Sequence, residues 1–441
     1  MRDMSASAAI SRRMFLRGAS ASAGVAAIGA LVPGGAAWAA QMGTWPDVRQ
    51  FTRRYVESGR LAGAVAAMGM GHDPITEIAK GVKTIGQATP VSADSLFRIY
   101  SMTKPITGMA AMILVDEGKL TLDQPLADIL PEFSQMMVQR VPDGPLDDLV
   151  PAERPITIRH LLTHTAGLGY TLVQRGPIKA AYMRAGLVPG IVSRLPLEQM
   201  FGGGAPAPSL KVFAERLAKM PLVYQPGTRW SYSVGLDLMG RVIEVVSRQP
   251  FDVFLKQRLF DPLGMDSTFF KVPASAARRL TSNYGVLAGM LLPLDPADAS
   301  IFTEEPPFPF GGSGLVSSPR DYDRFLLMLL GQGRLGKSEI ISLDAVRLGT
   351  SNLLPPGVTT KGTIANGGGF GAGGRVGLGR EEGTFGWGGA AGTIAFADLK
   401  HGWRGGFYTQ YMPVEAYPIH REFPQVAMKD AIANLQQAVI S

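Results

Sequence analysis

Ser101-Met102-Thr103-Lys104 sets a hydroxyl and an amine three residues apart, and no other Lys of the 441-residue chain follows a Ser at that distance. On a helix, residues three apart share one face. The amine can then take the proton of the hydroxyl and leave an oxygen nucleophile able to attack a carbonyl carbon. That task needs an uncharged amine, a form that burial and the positive end of a helix both favour. The same helix start offers backbone N–H groups to an oxyanion. Taken alone, the four residues describe equally well a capped surface helix with a solvated lysine. Other chemistries have less behind them. The chain has no Cys, which removes thiol nucleophiles, disulfides and Cys-ligated metals. His160 and His164 have the spacing of a zinc pair but lack the intervening Glu of a metalloprotease, so they read as structural, hydrogen-bonding histidines near the site floor. Gly369-Phe370-Gly371-Ala372-Gly373-Gly374 matches G-x-G-x-x-G literally but lies outside any βαβ unit, and no G-x-S-x-G occurs. No cofactor or metal is called for.

The elements that must position Ser101 can be read from periodicity. Ile106, Met109, Ala110, Ile113 and Leu114 recur at helical steps until Glu117-Gly118, and Pro105 is tolerable only near the start of that helix. Ser101 therefore stands at a helix N-terminus. Upstream, 61–70 and 75–80 read as strands joined through Gly71-His72-Asp73-Pro74, a hairpin that opens the domain. Downstream, 158–162, 210–220, 236–247 and 251–259 read as helices between Pro/Gly-rich joints. Ser318-Pro319 reads as an N-cap and first helical residue leading into 321–330. Residues 393–398 and 406–412 read as strands and 425–440 as a terminal helix. Met109, Met112, Met136 and Met137 read as core filler. Strands near both chain ends with helices between them predict one sheet built from distant segments.

Five ordered blocks carry a family resemblance: 97–104 (FRIYSMTK), 158–168 (IRHLLTHTAGL), 226–233 (PGTRWSYS), 312–318 (GSGLVSS) and 386–393 (GWGGAAGT). Over roughly 50–415 their order resembles that of serine hydrolases of the β-lactamase and penicillin-binding-protein fold, closest to family VIII carboxylesterases and class C β-lactamases. The resemblance implies an α+β, β-lactamase/transpeptidase-like fold: an antiparallel sheet flanked by helices, with a mostly helical inserted subdomain. It implies that Tyr232 is the tyrosine of the second motif, able as a phenolate near Lys104 to act as general base for Ser101. It implies further that the backbone N–H of Ala390, after Trp387-Gly388-Gly389, is the second oxyanion donor beside that of Ser101. The glycines would let substrate lie against the strand.

Two departures bear on the substrate. The second motif usually has Asn two places after the tyrosine, where this chain has Val234; the third often begins with Lys, where this chain has Trp387. An ammonium at that place would pair with a carboxylate, as in a β-lactam or a D-alanyl peptide. Trp offers an apolar face and one N–H, or simply plugs the pocket. The expectation is an esterase for neutral, partly apolar acyl groups, with Ser101, Lys104 and Tyr232 catalytic. The alternatives left open are a β-lactamase or D-amino peptidase, acyl transfer to another alcohol, and a non-catalytic cell-wall-binding module. With Lys104 as the only evident cation near Tyr232, Arg229 is a candidate helper, and the stretch 171–209 is expected to shape the acyl pocket.

The composition is that of a globular chain, with 46% hydrophobic and 18% charged residues. The net charge of +7 includes Arg2, Arg12, Arg13 and Arg17 at the N-terminus, and no Lys/Arg run gives a nucleic-acid footprint. Arg12-Arg13 before the apolar stretch from Gly18 to Val32, then Ala37-Trp38-Ala39, looks like a cleavable twin-arginine signal read by the Tat export machinery. The chain is thus expected to divide into a signal over 1–39 and a catalytic domain over 40–441. Within the latter, an α/β part covers about 45–110 and 310–441 and a helical part about 111–309. The product would be periplasmic or secreted, with no stable membrane insertion after signal removal and a small-molecule ester as partner.

Overall fold

The computed structural model describes residues 44–195 and 204–440; the signal expected over 1–39 lies outside them. Helix α1 (Pro46–Glu57) comes first, so a helix rather than the expected hairpin opens the described chain. Its buried Val48, Phe51 and Tyr55 stand at three- and four-residue steps, and Pro46 and Asp47 suit a first turn. The hairpin follows as β1 (Gly63–Met70) and β2 (Thr76–Gly81).

The sheet joins the two ends of the chain. After β3 (Gly369–Phe370), β4 (Arg375–Val376), β5 (Thr384–Gly388), β6 (Ile394–Asp398) and β7 (Trp403–Tyr408), the seven strands lie in the order β3-β4-β5-β6-β7-β1-β2, every pair antiparallel. Val65 opposite Tyr408 and Met70 opposite Trp403 fix the register between β1 and β7. Successive side chains of a strand face opposite ways. Ala64, Ala66 and Met68 accordingly join Phe51 of α1 and Phe423 of the C-terminal helix on one face, while Val65 and Ala67 join the main core on the other. That main core holds helix α2 (Thr103–Asp116), whose residues from Thr103 to Leu114 are all buried. A helix apolar all round belongs inside.

Between these segments lie α3 (Ile158–Leu162), α4 (Gly176–Arg184), α5 (Leu210–Leu217), α6 (Gly235–Ser247) and α7 (Phe251–Leu255); all but α4, which lies outside the helical reading, agree with it. That reading also misses the short antiparallel pair Met137–Gln139 and Leu149–Pro151 and two further features. The helix expected to run to 259 passes into a wider π turn at Lys256–Phe260, and a hairpin of Asn283–Leu287 with Met290–Asp295 lies in the same region. Later, α8 (Pro319–Leu330) has its N–H of Asp321 bonded to the Ser318 hydroxyl, and α9 (Leu343–Gly349) packs on α2. The strand expected over 406–412 is divided: β7 ends at Tyr408, and Tyr411–Met412 pairs instead with Tyr284–Gly285. The last helix, α10 (Ile419–Ile440), begins six residues earlier than the apolar pattern suggests and carries Pro424 near its start. Of the four methionines read as core, Met137 is 38% exposed while Met109, Met112 and Met136 are buried. No helix among the described residues is long and apolar enough to cross a membrane.

Candidate active site

Three residues before Ser101, the fully buried Arg98 anchors the approach to that serine. Its Nε donates to Asp295 Oδ2 at 2.6 Å, Nη1 to the Thr281 carbonyl at 2.5 Å, and Nη2 to Ser300 Oγ at 2.8 Å, while Gln410 bonds its backbone on both sides. Tyr100 then takes φ of +40°, a conformation that side chains adopt at a cost. The backbone turns sharply there into a short 3-10 turn, Tyr100–Met102, and α2 begins two residues after Ser101.

Ser101, Lys104 and Tyr232 meet at one point. Lys104 Nζ donates to Ser101 Oγ at 3.1 Å, and the Tyr232 hydroxyl lies 2.8 Å from the same oxygen. Lys104 is wholly buried, and its Nζ sits 4.6 Å from the centre of the Tyr232 ring. Tyr232 comes from the segment between Pro226-Gly227 and α6 and is held in an aromatic cage. Trp230 stacks on it at 6.1 Å, and His164 and Tyr170 meet it edge-on at 4.7 and 5.2 Å. Trp387, on β5, completes the cage and also donates its indole N–H to the Tyr232 oxygen at 3.1 Å. It is therefore both plug and donor.

The turn after β5 closes through the Gly389 N–H on the Thr393 carbonyl and the Gly392 N–H on the Gly389 carbonyl, which leaves the Ala390 N–H outside both bonds. The glycines here are required by the protein's own packing. A Cβ on Gly389 would overlap the Ile99 carbonyl and Thr393 Oγ1, and one on Gly388 would meet the His420 ring at 2.5 Å. Only Gly lets β5 lie this close to the nucleophile turn.

The histidines are structural, and their bonds show how. His160 Nδ1 accepts the Thr157 N–H while Thr157 Oγ1 accepts the His160 N–H, a reciprocal cap for α3. Burial pushes its imidazole down to about 4. His164 Nδ1 accepts the Ser233 N–H at 3.2 Å, and burial, helped by the charge of Lys104, holds the ring far below its ordinary value. Among the described residues no group of His, Asp and Glu is placed to hold a metal ion. Arg229 is no helper to Tyr232: it is exposed, with its guanidinium over the Tyr224 ring. The literal G-x-G-x-x-G run is a packing loop, whose Gly373 N–H bonds the Leu162 carbonyl and whose Phe370 ring meets Trp387 at 5.3 Å. Part of the stretch 171–209 does reach the site's surroundings. The Ser313 hydroxyl donates to the Pro189 carbonyl, and Ile191 packs on the cluster that contains Tyr100 and Ala391; Gly202 and Gly203 lie outside the described residues.

The sequence model of the Beta-lactamase family matches residues 48–423. The chain belongs to that family. It is 38% identical over 296 residues to Protein Rv1367c of Mycobacterium tuberculosis, covering 67% of this chain and 69% of that one. It is 32% identical over 366 residues to Esterase EstB of Burkholderia gladioli, covering 78% and 84%. Among solved structures, EstCE1, described as a hydrolase with promiscuous acyltransferase activity, superposes with a TM-score of 0.70 at 24% identity, covering 89% of this chain and 99% of that one. The β-lactamase/transpeptidase-like fold follows, and with the family an enzyme of the serine-hydrolase kind.

Two further residues hold the site: Gly312, which opens the fourth block of the resemblance, and Asp237, which carries no sequence signal that would single it out. The Gly312 carbonyl accepts Lys104 Nζ at 2.7 Å, and Asp237 Oδ1 accepts the Gly312 N–H at 2.8 Å. Val234, in the place of the family's Asn, is buried and caps the start of α6 without a polar side chain.

Proposed function

We propose that this serine hydrolase cleaves carboxylic esters through an acyl-enzyme and is exported by the twin-arginine route. Ser101 Oγ attacks the ester carbonyl carbon while its proton passes to the Tyr232–Lys104 pair; the N–H groups of Ser101 and Ala390 hold the oxyanion. As the tetrahedral carbon collapses, the C–O bond to the alcohol breaks and the same pair returns the proton to the leaving oxygen. Water then repeats the sequence, releasing the acid and restoring Ser101.

The observation that carries the ester reading is the indole N–H of Trp387 on the Tyr232 oxygen. An N–H there supports negative charge as the phenol oxygen takes up its role, while the apolar ring leaves no cation for the carboxylate of a β-lactam or a D-alanyl peptide. The 32% identity with Esterase EstB over most of both chains supports the same reading. Acyl transfer uses the same intermediate with an alcohol in place of water. The test is a fluorophosphonate label with peptide mapping, alongside turnover of short p-nitrophenyl esters and a chromogenic cephalosporin. Label at Ser101, ester turnover lost by about 10⁴-fold in Ser101→Ala, and negligible cephalosporin cleavage are expected. Label at another serine, or a preference for the cephalosporin, would refute the reading.

A further inference from the structure

What holds the Lys104 amine in place beside Ser101 is found on α6 and at Gly312. Gly312 bridges two side chains: its carbonyl accepts Lys104 Nζ, and its N–H is bound by Asp237 Oδ1. Asp237 is completely buried, and its Oδ2 has no hydrogen-bond partner among the described residues. A buried carboxylate oxygen without a partner is costly, and such a group persists where a nearby cation compensates it. Here that compensation comes from Lys104 when its amine takes up the proton, and its field pulls the carboxyl downward. The carboxylate also lies flat on Gly312, since a Cβ there would stand 2.6 Å from Oδ2.

We propose that Asp237 is a positioning residue for proton transfer: through Gly312 it fixes the Lys104 amine against Ser101, and its charge balances Lys104 while that amine carries the proton. The proposal rests on the reading of Ser101, Lys104 and Tyr232 as the reacting groups. The titratable groups that face the carboxyl are Lys104 of α2 and Tyr170 of the segment after α3. Burial lifts the carboxyl to about 6 against the opposing pull of Lys104 and the Gly312 N–H. The counter-charge, and with it the rate, falls as pH drops through that value.

The test compares the wild type with Asp237→Asn, which keeps the shape and one acceptor but removes the charge, and with Gly312→Ala, which keeps the charge but displaces the carboxylate. Ester kcat and KM are followed from acid to mildly alkaline pH, with thermal unfolding and fluorophosphonate labelling in parallel. In Asp237→Asn, kcat should fall about 10- to 100-fold with KM little changed, and the acid limb centred near pH 6 should disappear. In Gly312→Ala the rate should fall while that limb remains. Wild-type kcat in either folded variant, or an unaltered acid limb in Asp237→Asn, overturns the proposal. Wild-type protein that neither labels at Ser101 nor turns over esters removes the esterase reading itself, and this proposal with it.

Discussion

The wall of the site that carries Lys104 and the wall that carries Trp387 meet at Ser101 and Tyr232 and are built from different materials. On the first, a lysine and a carboxylic acid, both fully buried, are joined through the backbone of one glycine, whose carbonyl accepts from the lysine and whose N–H donates to the acid. On the second, Tyr170, Trp230 and Trp387 surround the phenol, Phe370 packs behind Trp230 and Trp387, burial keeps an imidazole neutral there, and the Trp387 N–H meets the phenol oxygen. Charge is thus confined to the side to which the proposed mechanism assigns proton transfer. The other side sets the environment of the phenol and, in that proposal, the character of the substrate, so the two tasks can be perturbed separately.

The largest perturbation removes the charged wall. Lys104→Met keeps the bulk of the side chain and loses the amine, so ester kcat should fall about 10³-fold with KM little changed; steady-state kinetics on a folded sample would show it, and a loss expressed in KM alone would mean that the amine only binds. Next in size is acid, which charges the aromatic side. His160 and His164 sit in the fold below their ordinary 6.5, the former at about 4, so the unfolded chain binds protons that the folded chain does not. The stability they contribute is complete above pH 6.5 and is lost as pH falls toward 4, on the order of 3 kcal/mol for His160. Denaturant unfolding at neutral and acid pH should show the decline, and His160→Gln should flatten it. The smallest effect sharpens the contrast: Trp387→Phe keeps the apolar face but deletes one N–H, worth about 1 kcal/mol, so kcat for short esters should drop about fivefold. A much larger loss would show that the aromatic wall shares in proton transfer.

The separation into two walls also marks what the sequence could reveal. Ser101 and Lys104 belong to one local run, and the periodicity of Ile106, Met109 and Ile113 places the helix that carries them. The joining of early and late strands in one sheet follows from strand signals near both chain ends with helices between them. Asp237 stays hidden because an acid in the first turn of a helix is locally ordinary, and its partner Gly312 lies 75 residues away. The aromatic cage is hidden for the same reason: His164 and Tyr170 come from one distant segment and Trp387 from another, and only folding brings them to the Tyr232 ring. Arg229, three residues from Tyr232, shows the converse. Closeness in sequence gave it a candidate role, and its guanidinium turns outward to Tyr224. Helix α1 had a readable apolar stripe that local strand signals overshadowed.

The pairing of β1 with β7 sets the timetable of synthesis. Residues 63–70 wait on one side for partners at 403–408, so more than three hundred residues must leave the ribosome before the strand gains its second neighbour. Closing so long a loop is slow, and until it closes the strand presents an open edge to any other chain. The nucleophile's helix rests on that sheet. A polypeptide halted short of β7 would hold all three reacting side chains and have nothing rigid to mount them on.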